Sequence, residues 1–477
     1  MQFKIKHITY ALITSGVLLS SNIAIAADAD IDALRKTIEE LDQKIKIIER
    51  KNEIALEEAA AAKKTTPVVV ASDSGFGLQS ADKKFVFKLS GLLQADQRTF
   101  FDDDTEAGVA GTNLSDDYLL RRVRPTFSGT VFGKYDFRFT PDFAPNAANV
   151  QDAFINARFL PWFKVQAGKF KVPVSLERLQ SGGDIRFVER GYVSNSLVPN
   201  RDTGVQIHGD LLESKLTYAV GVFDGQADGG SVGSNGSNNG DTNKDKEYAA
   251  RIFAEPFKGT DSFLEGLGFG IAGTTGDFSK TAGSLANTNY RSEGQQTIYQ
   301  YAANVVGDGK QTRVVPQFYY YNGPWGILGE YAKVKSDIKR TNGAGTVTLG
   351  QENIANDAWQ LGVTYLLTGE DNSFKGITPK REFDLEKGTW GAWEIGARYS
   401  ELNLDDKLFD GAAGVRFANA ASATKSAETW SLGVNWYLNK NVKIQSTYSQ
   451  TKFDSALAGV ADRADEKALF TRFQVAF

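Results

Sequence analysis

Few side chains in this sequence are equipped for covalent chemistry. It has no cysteine and two histidines, His7 and His208. Cys/His zinc centres, Fe–S clusters, cysteine nucleophiles and covalently attached haem are excluded on that count. A Ser–His–Asp arrangement would have to use His208, and Gly204, Gln206, Asp210 and Leu212 on its own face include no serine. No cofactor or metal is implied either. The run Asp241-Thr242-Asn243-Lys244-Asp245 begins like a calcium loop but carries Lys246 where glycine is needed. Gly307-Asp308-Gly309-Lys310 lacks both the spacing and the strand-to-helix setting of a phosphate loop. What remains is charge placed at regular intervals. Lys88, Arg122, Arg124, Arg138, Arg158, Lys164, Arg251, Arg313, Arg398, Lys443 and Arg472 sit beside apolar neighbours of the opposite parity. Guanidinium forks and ammonium groups so arranged bind and pass on oxyanions without making or breaking bonds.

The elements that must position these cations are strands. Phe85, Phe87, Leu89, Gly91 and Leu93 alternate with Lys88, Ser90 and Gln94, and Trp393, Ile395, Ala397 and Tyr399 alternate with Glu394, Gly396 and Arg398. Sixteen such segments run from residue 85 to 477, most of about ten residues, the length that crosses a bilayer when tilted. Their connections alternate between tight turns, such as Gly133-Lys134, Glu213-Ser214 and Asn439-Lys440, and long stretches such as 97–117, 170–202 and 276–310. Trp325, Trp390, Trp430, Trp436 and Tyr437 stand near strand ends, as interface girdles do. A soluble sandwich would not need aromatics there. With 47 Gly, 11 Pro and 41% hydrophobic residues, and a mean hydropathy of -0.32, helical multi-span architecture is excluded. The expected fold is all-β, a 16-stranded antiparallel transmembrane β-barrel with a short N-terminal helical coiled-coil segment. The strand-like Ile298 to Asn304 would break the short/long alternation and is placed inside a long loop.

Ahead of the barrel, residues 1–26 read as a signal peptide: Lys4 and Lys6, an apolar run from Ile8 to Leu19, then Ala24-Ile25-Ala26. Removing it takes the formal charge from -4 to -6. Residues 27–64 read as a periplasmic helix, with Ile31, Leu34, Ile38, Leu41, Ile45 and Ile48 alternating three and four apart. One apolar stripe on an isolated helix is buried best by copies of itself, so the pattern predicts a coiled coil between subunits, three-stranded by its Ile45/Ile48 heptad; a solvated spacer is the alternative. Residues 65–84 read as a linker and 85–477 as the barrel domain.

With apolar side chains towards lipid, the cations above face the lumen, alongside Asp136, Asp152, Glu255, Glu330 and Glu394, and Asp96 near a rim. An excess of fixed cations there favours anions, unless the arginines pair with those acids and only brace the wall. The stretch 170–202 is too apolar and too basic for a simple external loop. Phe170, Val172, Leu176, Phe187 and Val188 need burial, while Lys171, Arg178, Arg186, Arg190 and Arg201 offer donors. Folding into the lumen and capping a neighbouring subunit are its two possible uses. Asp102-Asp103-Asp104 reads as solvated and 228–243 as a mobile surface loop.

Several segments together resemble one family. Arg121-Arg122-Val123-Arg124, Gly168-Lys169-Phe170-Lys171-Val172-Pro173, Glu189-Arg190, Tyr320 to Tyr331, Leu367-Thr368-Gly369-Glu370, Gly391 to Ser400 and Asn435-Trp436-Tyr437-Leu438-Asn439 are similar to the phosphate-selective porins O and P of Gram-negative bacteria. The resemblance implies a trimeric outer-membrane barrel with loops folded into each lumen and arginines leading anions to a constriction. It also implies that Phe477 is the signal read by the barrel-assembly machinery. It carries over Arg122 and Arg124, and adds Lys169 and Lys171 as part of the approach to the inward loop. The anion-binding candidates are thus Arg122, Arg124, Arg138, Arg158, Lys169, Lys171, Arg178, Arg186, Arg190, Arg201, Arg313 and Arg398. The expected function is passive, non-enzymatic diffusion of anions, foremost inorganic phosphate or polyphosphate, across the outer membrane. The alternatives are a porin for other solutes and a barrel anchor tethering the envelope through its helix. Expected partners are small anions, outer-membrane lipid and two further copies of the chain, and no nucleic acid.

Overall fold

The computed structural model describes residues 27–101, 114–144, 148–231, 245–277, 288–456 and 462–477. The signal-peptide reading of 1–26, the Asp102-Asp103-Asp104 cluster and most of the 228–243 loop lie outside the described residues. The chain divides into two units, residues 1–66 and 67–477. In the first, α1 (Ala27–Thr65) is a helix of 39 residues. Its Ile31, Leu34, Ile38, Leu41, Ile45 and Ile48 are all exposed, and Lys46 pairs with Asp42 one turn away at 2.7 Å.

The second unit is built from strands: β1 (Val68–Ser72), β2 (Gly75–Gln79), β3 (Val86–Phe100), β4 (Asp117–Val131), β5 (Tyr135–Asp142), β6 (Asn149–Leu160), β7 (Phe163–Lys171), β8 (Arg201–Leu211), β9 (Leu216–Phe223), β10 (Glu247–Ala254), β11 (Leu267–Asp277), β12 (Asn289–Arg291), β13 (Thr297–Tyr301), β14 (Val305–Asn322), β15 (Trp325–Thr341), β16 (Thr348–Leu366), β17 (Ala392–Asn403), β18 (Ala418–Tyr437), β19 (Val442–Ser455) and β20 (Glu466–Ala476). Antiparallel pairing runs from β3 to β11, passes directly to β14, and continues to β20. β20 then pairs with β3, with Phe473 opposite Ala95, so sixteen strands close a barrel without edges. The parity holds: Ile395, Leu432, Val434, Phe473 and Val475 are exposed on the outer face, while Glu394, Arg398, Asn435, Arg472 and Gln474 are buried inside. Aromatic rings gird the outer face, with Trp393 stacked on Trp436 and Trp430 against Tyr399.

Several features depart from the sequence expectation. β14, β15, β16 and β18 reach 17 to 20 residues rather than ten. Inside their loop-end halves, Val334, Ile338 and Ile354 are buried in one cluster with Tyr290, Tyr299 and Tyr301 of the 276–310 loop and with Leu408 and Phe409. β13, the strand-like segment placed in that loop, lies outside the barrel wall as expected, and pairs with β18. The stretch expected as a linker holds the β1–β2 hairpin, because Val68-Val69-Val70 favours extended backbone and Gly75, at φ 117, makes the turn. β2 extends the wall along β3, pairing Phe76 with Leu89, and Phe76 rests 6.1 Å from the ring of Phe477. At the turn end, residues 367–391 form a long segment that breaks the alternation of tight turns and long stretches. It folds inward because its apolar side chains find partners there: Ile377 is buried with Leu366, Ala392 and Tyr437, and Phe374 stacks on Tyr319.

Candidate functional site

Loop 172–200, between β7 and β8, crosses the lumen. Ser175 caps the four-residue helix α2 (Leu176–Leu179) by accepting from the Arg178 backbone N–H. Glu330 of β15 accepts from the backbone N–H groups of Leu176 and Glu177 and from Ser175. Further along, Gln94 donates to the Gly182 carbonyl and Gln474 to that of Gly183, both at 3.0 Å. Lys443 and Gln445 donate to the Ile185 carbonyl, Asn435 to that of Arg186, Arg472 to that of Val188 and Arg398 to that of Glu189. Donors from β3 and from β17 to β20 thus hold the loop by its backbone. Of its two possible uses, the loop takes the inward one, filling the side of the barrel nearest β14 to β20.

One loop carboxylate gathers three arginines. Gln94 opposes Arg122 while Ala95 opposes Leu120, so Arg121 is the extra residue of a bulge in β4. The bulge turns it inward, where it bonds Glu189 at 2.7 and 3.1 Å. Arg98 reaches the same carboxylate at 2.9 Å and Arg472 lies 3.6 Å from it. Burial alone would raise the Glu189 carboxyl, but Arg121, Arg98 and Arg472 hold it well below the usual carboxylate range.

On the other side of the loop lies a cavity of about 760 Å³ between its Lys171–Arg186 face, the wall of β3 to β8, and the turn-end segment. Among the described residues its lining includes Lys88, Arg124, Arg138, Lys171, Arg186, Arg201, Lys375, Lys440 and Lys443, against Asp73, Asp152 and Asp184. Arg201 bonds Asp152 at 2.9 Å and Arg138 lies 4.0 Å from it. Arg124 pairs with Asp142 at 2.6 Å and Arg186 with Glu394 at 3.2 Å. Lys171 donates instead to the carbonyls of Leu179 and Gln180. The wall therefore keeps more positive than negative charge after its pairs are drawn.

Of the twelve sequence candidates, Arg124, Arg138, Lys171, Arg186 and Arg201 line this cavity together. Arg122 is buried beside it, donating to Gln94 and packed on Gly182. Arg178 donates to the Ser194 carbonyl, and Arg190 to those of Glu177 and Gln180. Lys169 is buried at the end of β7, and Arg158 pairs with Asp136 near the turn rim at 2.7 Å. Arg313 is buried behind the loop between Asp228 at 2.8 Å and Glu247 at 2.5 Å, and also donates to the Leu197 carbonyl. Arg398 is held by Glu177 and Glu293 over the Phe187 ring. Sequence reasoning left Arg121, Asp184, Lys375 and Lys440 off the site. Strict parity hides Arg121, because a bulge has no simple sequence mark. Lys375 and Lys440 lie in turn-end connections, which two-residue periodicity does not read.

The sequence profile described as phosphate-selective porin O and P matches residues 87–477. The chain belongs to that family. It is accordingly a porin of the outer membrane, a channel formed by its barrel. Porin O of Pseudomonas aeruginosa is 24% identical to it over 446 residues, covering 86% of this porin and 92% of that protein. The outer membrane channel DcaP of Acinetobacter baumannii shares the fold at a TM-score of 0.52 and 12% identity, covering 85% of this porin and all of that chain.

Proposed function

We propose that this porin is a passive, anion-preferring diffusion channel whose principal solute is phosphate or polyphosphate. The observation that carries the reading is the cavity lining, nine lysines and arginines against three aspartates among the described residues. In a narrow, partly dehydrated passage such an excess lowers the energy of an anion and raises that of a cation. Arginine forks suit the tetrahedral oxyanion geometry of phosphate, and several cations in one cavity favour a multiply charged solute over chloride. The work done is binding and release, with no bond made or broken. The apolar stripe of α1, exposed along its length, supports a coiled coil that holds copies of the porin together as a trimer, with the helix on the periplasmic side.

The test is a planar-bilayer measurement on the purified porin. Its reversal potential across a chloride gradient is expected to show anion preference, and millimolar phosphate is expected to block the chloride current. Cation preference would overturn the reading. Anion preference without phosphate block would leave a general anion porin.

A further inference from the structure

The cavity's three aspartates differ in what holds them. Asp152 is committed to Arg201 at 2.9 Å, and Asp73 lies 3.8 Å from Lys440 at the turn end. The Asp184 carboxylate accepts no hydrogen bond from any described residue, although its backbone is held on both sides. Its N–H donates to the Ser181 carbonyl and its own carbonyl accepts from Arg186, both within 3.0 Å. The carbonyls on either side, those of Gly183 and Ile185, are clamped by Gln474, Lys443 and Gln445. A fixed backbone thus presents a loose carboxylate to the cavity.

The turn-end segment makes room for it. Gly376 adopts φ +106, and a Cβ there would stand 2.9 Å from Oδ1 of Asp184. Lys171, Arg186 and Lys443 are the cations whose fields act on the carboxylate. A path lined only by such cations would hold a phosphate dianion too tightly to pass it on, because conduction needs sites weak enough to leave as well as favourable enough to enter.

We propose that Asp184 is the internal counter-anion of the pathway: it balances Lys171, Arg186 and Lys443 when the cavity is empty, and repels the bound oxyanion so that it leaves. This rests on the anion-preferring reading above and adds to it a residue that sets residence time. Asp184→Asn should lower the half-blocking phosphate concentration about fivefold and lengthen single blocked events by about the same factor, the scale of one charge acting over several ångströms in a wet lumen. Asp184→Glu, which restores the charge, should move both readouts back towards wild type. All are measured on full-length porin in planar bilayers with inorganic phosphate as the probe. Should the Asn variant fail to assemble, Asp184→Ser removes the same charge and is read in the same way. Unchanged or shorter blocked events in the neutral variant, or a Glu variant matching the Asn one, would overturn the proposal while an anion-selective wild type left the channel reading standing. A cation-selective wild type would overturn both.

Discussion

Lumenal arginines behave according to what accepts their hydrogen bonds. Arg313, fully enclosed by Asp228, Glu247, Gln311 and two loop carbonyls, ties β14 to two loops. Arg138 has a side chain 48% exposed and only a 4.0 Å approach to Asp152. Replacing Arg313 with alanine leaves two buried carboxylates uncompensated and should cost roughly 3–5 kcal/mol, read as a lowered temperature at which the folded band is lost on a heat-modifiability gel. Arg138→Ala should leave that temperature within a few degrees and instead weaken phosphate block two- to fivefold, by order of magnitude. Acidification offers a second check. Burial pushes the Asp184 carboxyl above its ordinary range, against the pull of Lys443, Arg186 and Lys171. It therefore takes up a proton at higher pH than a free aspartate, and the cations facing it lose nothing. Anion preference should rise as pH falls from about 6 to 4, and the rise should shrink in Asp184→Asn. Parity made the inward side of these residues legible. Their pairing was not, since Asp228 and Glu177 come from loops whose path no periodicity encodes.

At the scale of elements, the inward loop is held by its backbone carbonyls and by two carboxylates, Glu330 at its helical turn and Glu189 at its far side. Glu189→Gln would remove the charge shared by Arg98, Arg121 and Arg472. We expect faster tryptic cleavage after Arg186 or Arg190 and added open-channel noise, with the barrel still assembled; a quiet, protease-resistant variant would show that the carbonyl clamps suffice. The stretch 170–202 was legible as an anomalous loop from its mixture of buried-type and basic residues. The fold-in of 367–391 was not, because Phe374 and Ile377 bury against Tyr319 and Tyr437, residues distant in the chain.

At the scale of the molecule, the two units answer to different physics. The barrel closes through β20 and β3 and satisfies its backbone internally. The helix α1 has an apolar stripe that its own unit leaves exposed, which self-association would bury. Deleting residues 27–64 should leave the conductance and selectivity of each pore unchanged while lowering the temperature at which the oligomer dissociates on a native gel. An oligomer equally stable without the helix would remove the coiled-coil reading, and loss of envelope attachment instead would favour a tether.

The alternation of side chains, the tilt-length segments and the girdle aromatics determined a barrel, and the spacing of Ile31 to Ile48 an amphipathic helix. Both follow from local periodicity, which the chain carries residue by residue. The tertiary structure alone decided which cations meet the solute and which brace the wall. That division depends on the bulge at Arg121, on remote carboxylates reaching Arg313 and Arg398, and on the backbone path that brings Asp184, Gly376 and Lys443 to one cavity. Electrostatic environment is a sum over spatial neighbours, and in a closed barrel most of those neighbours are far apart in sequence.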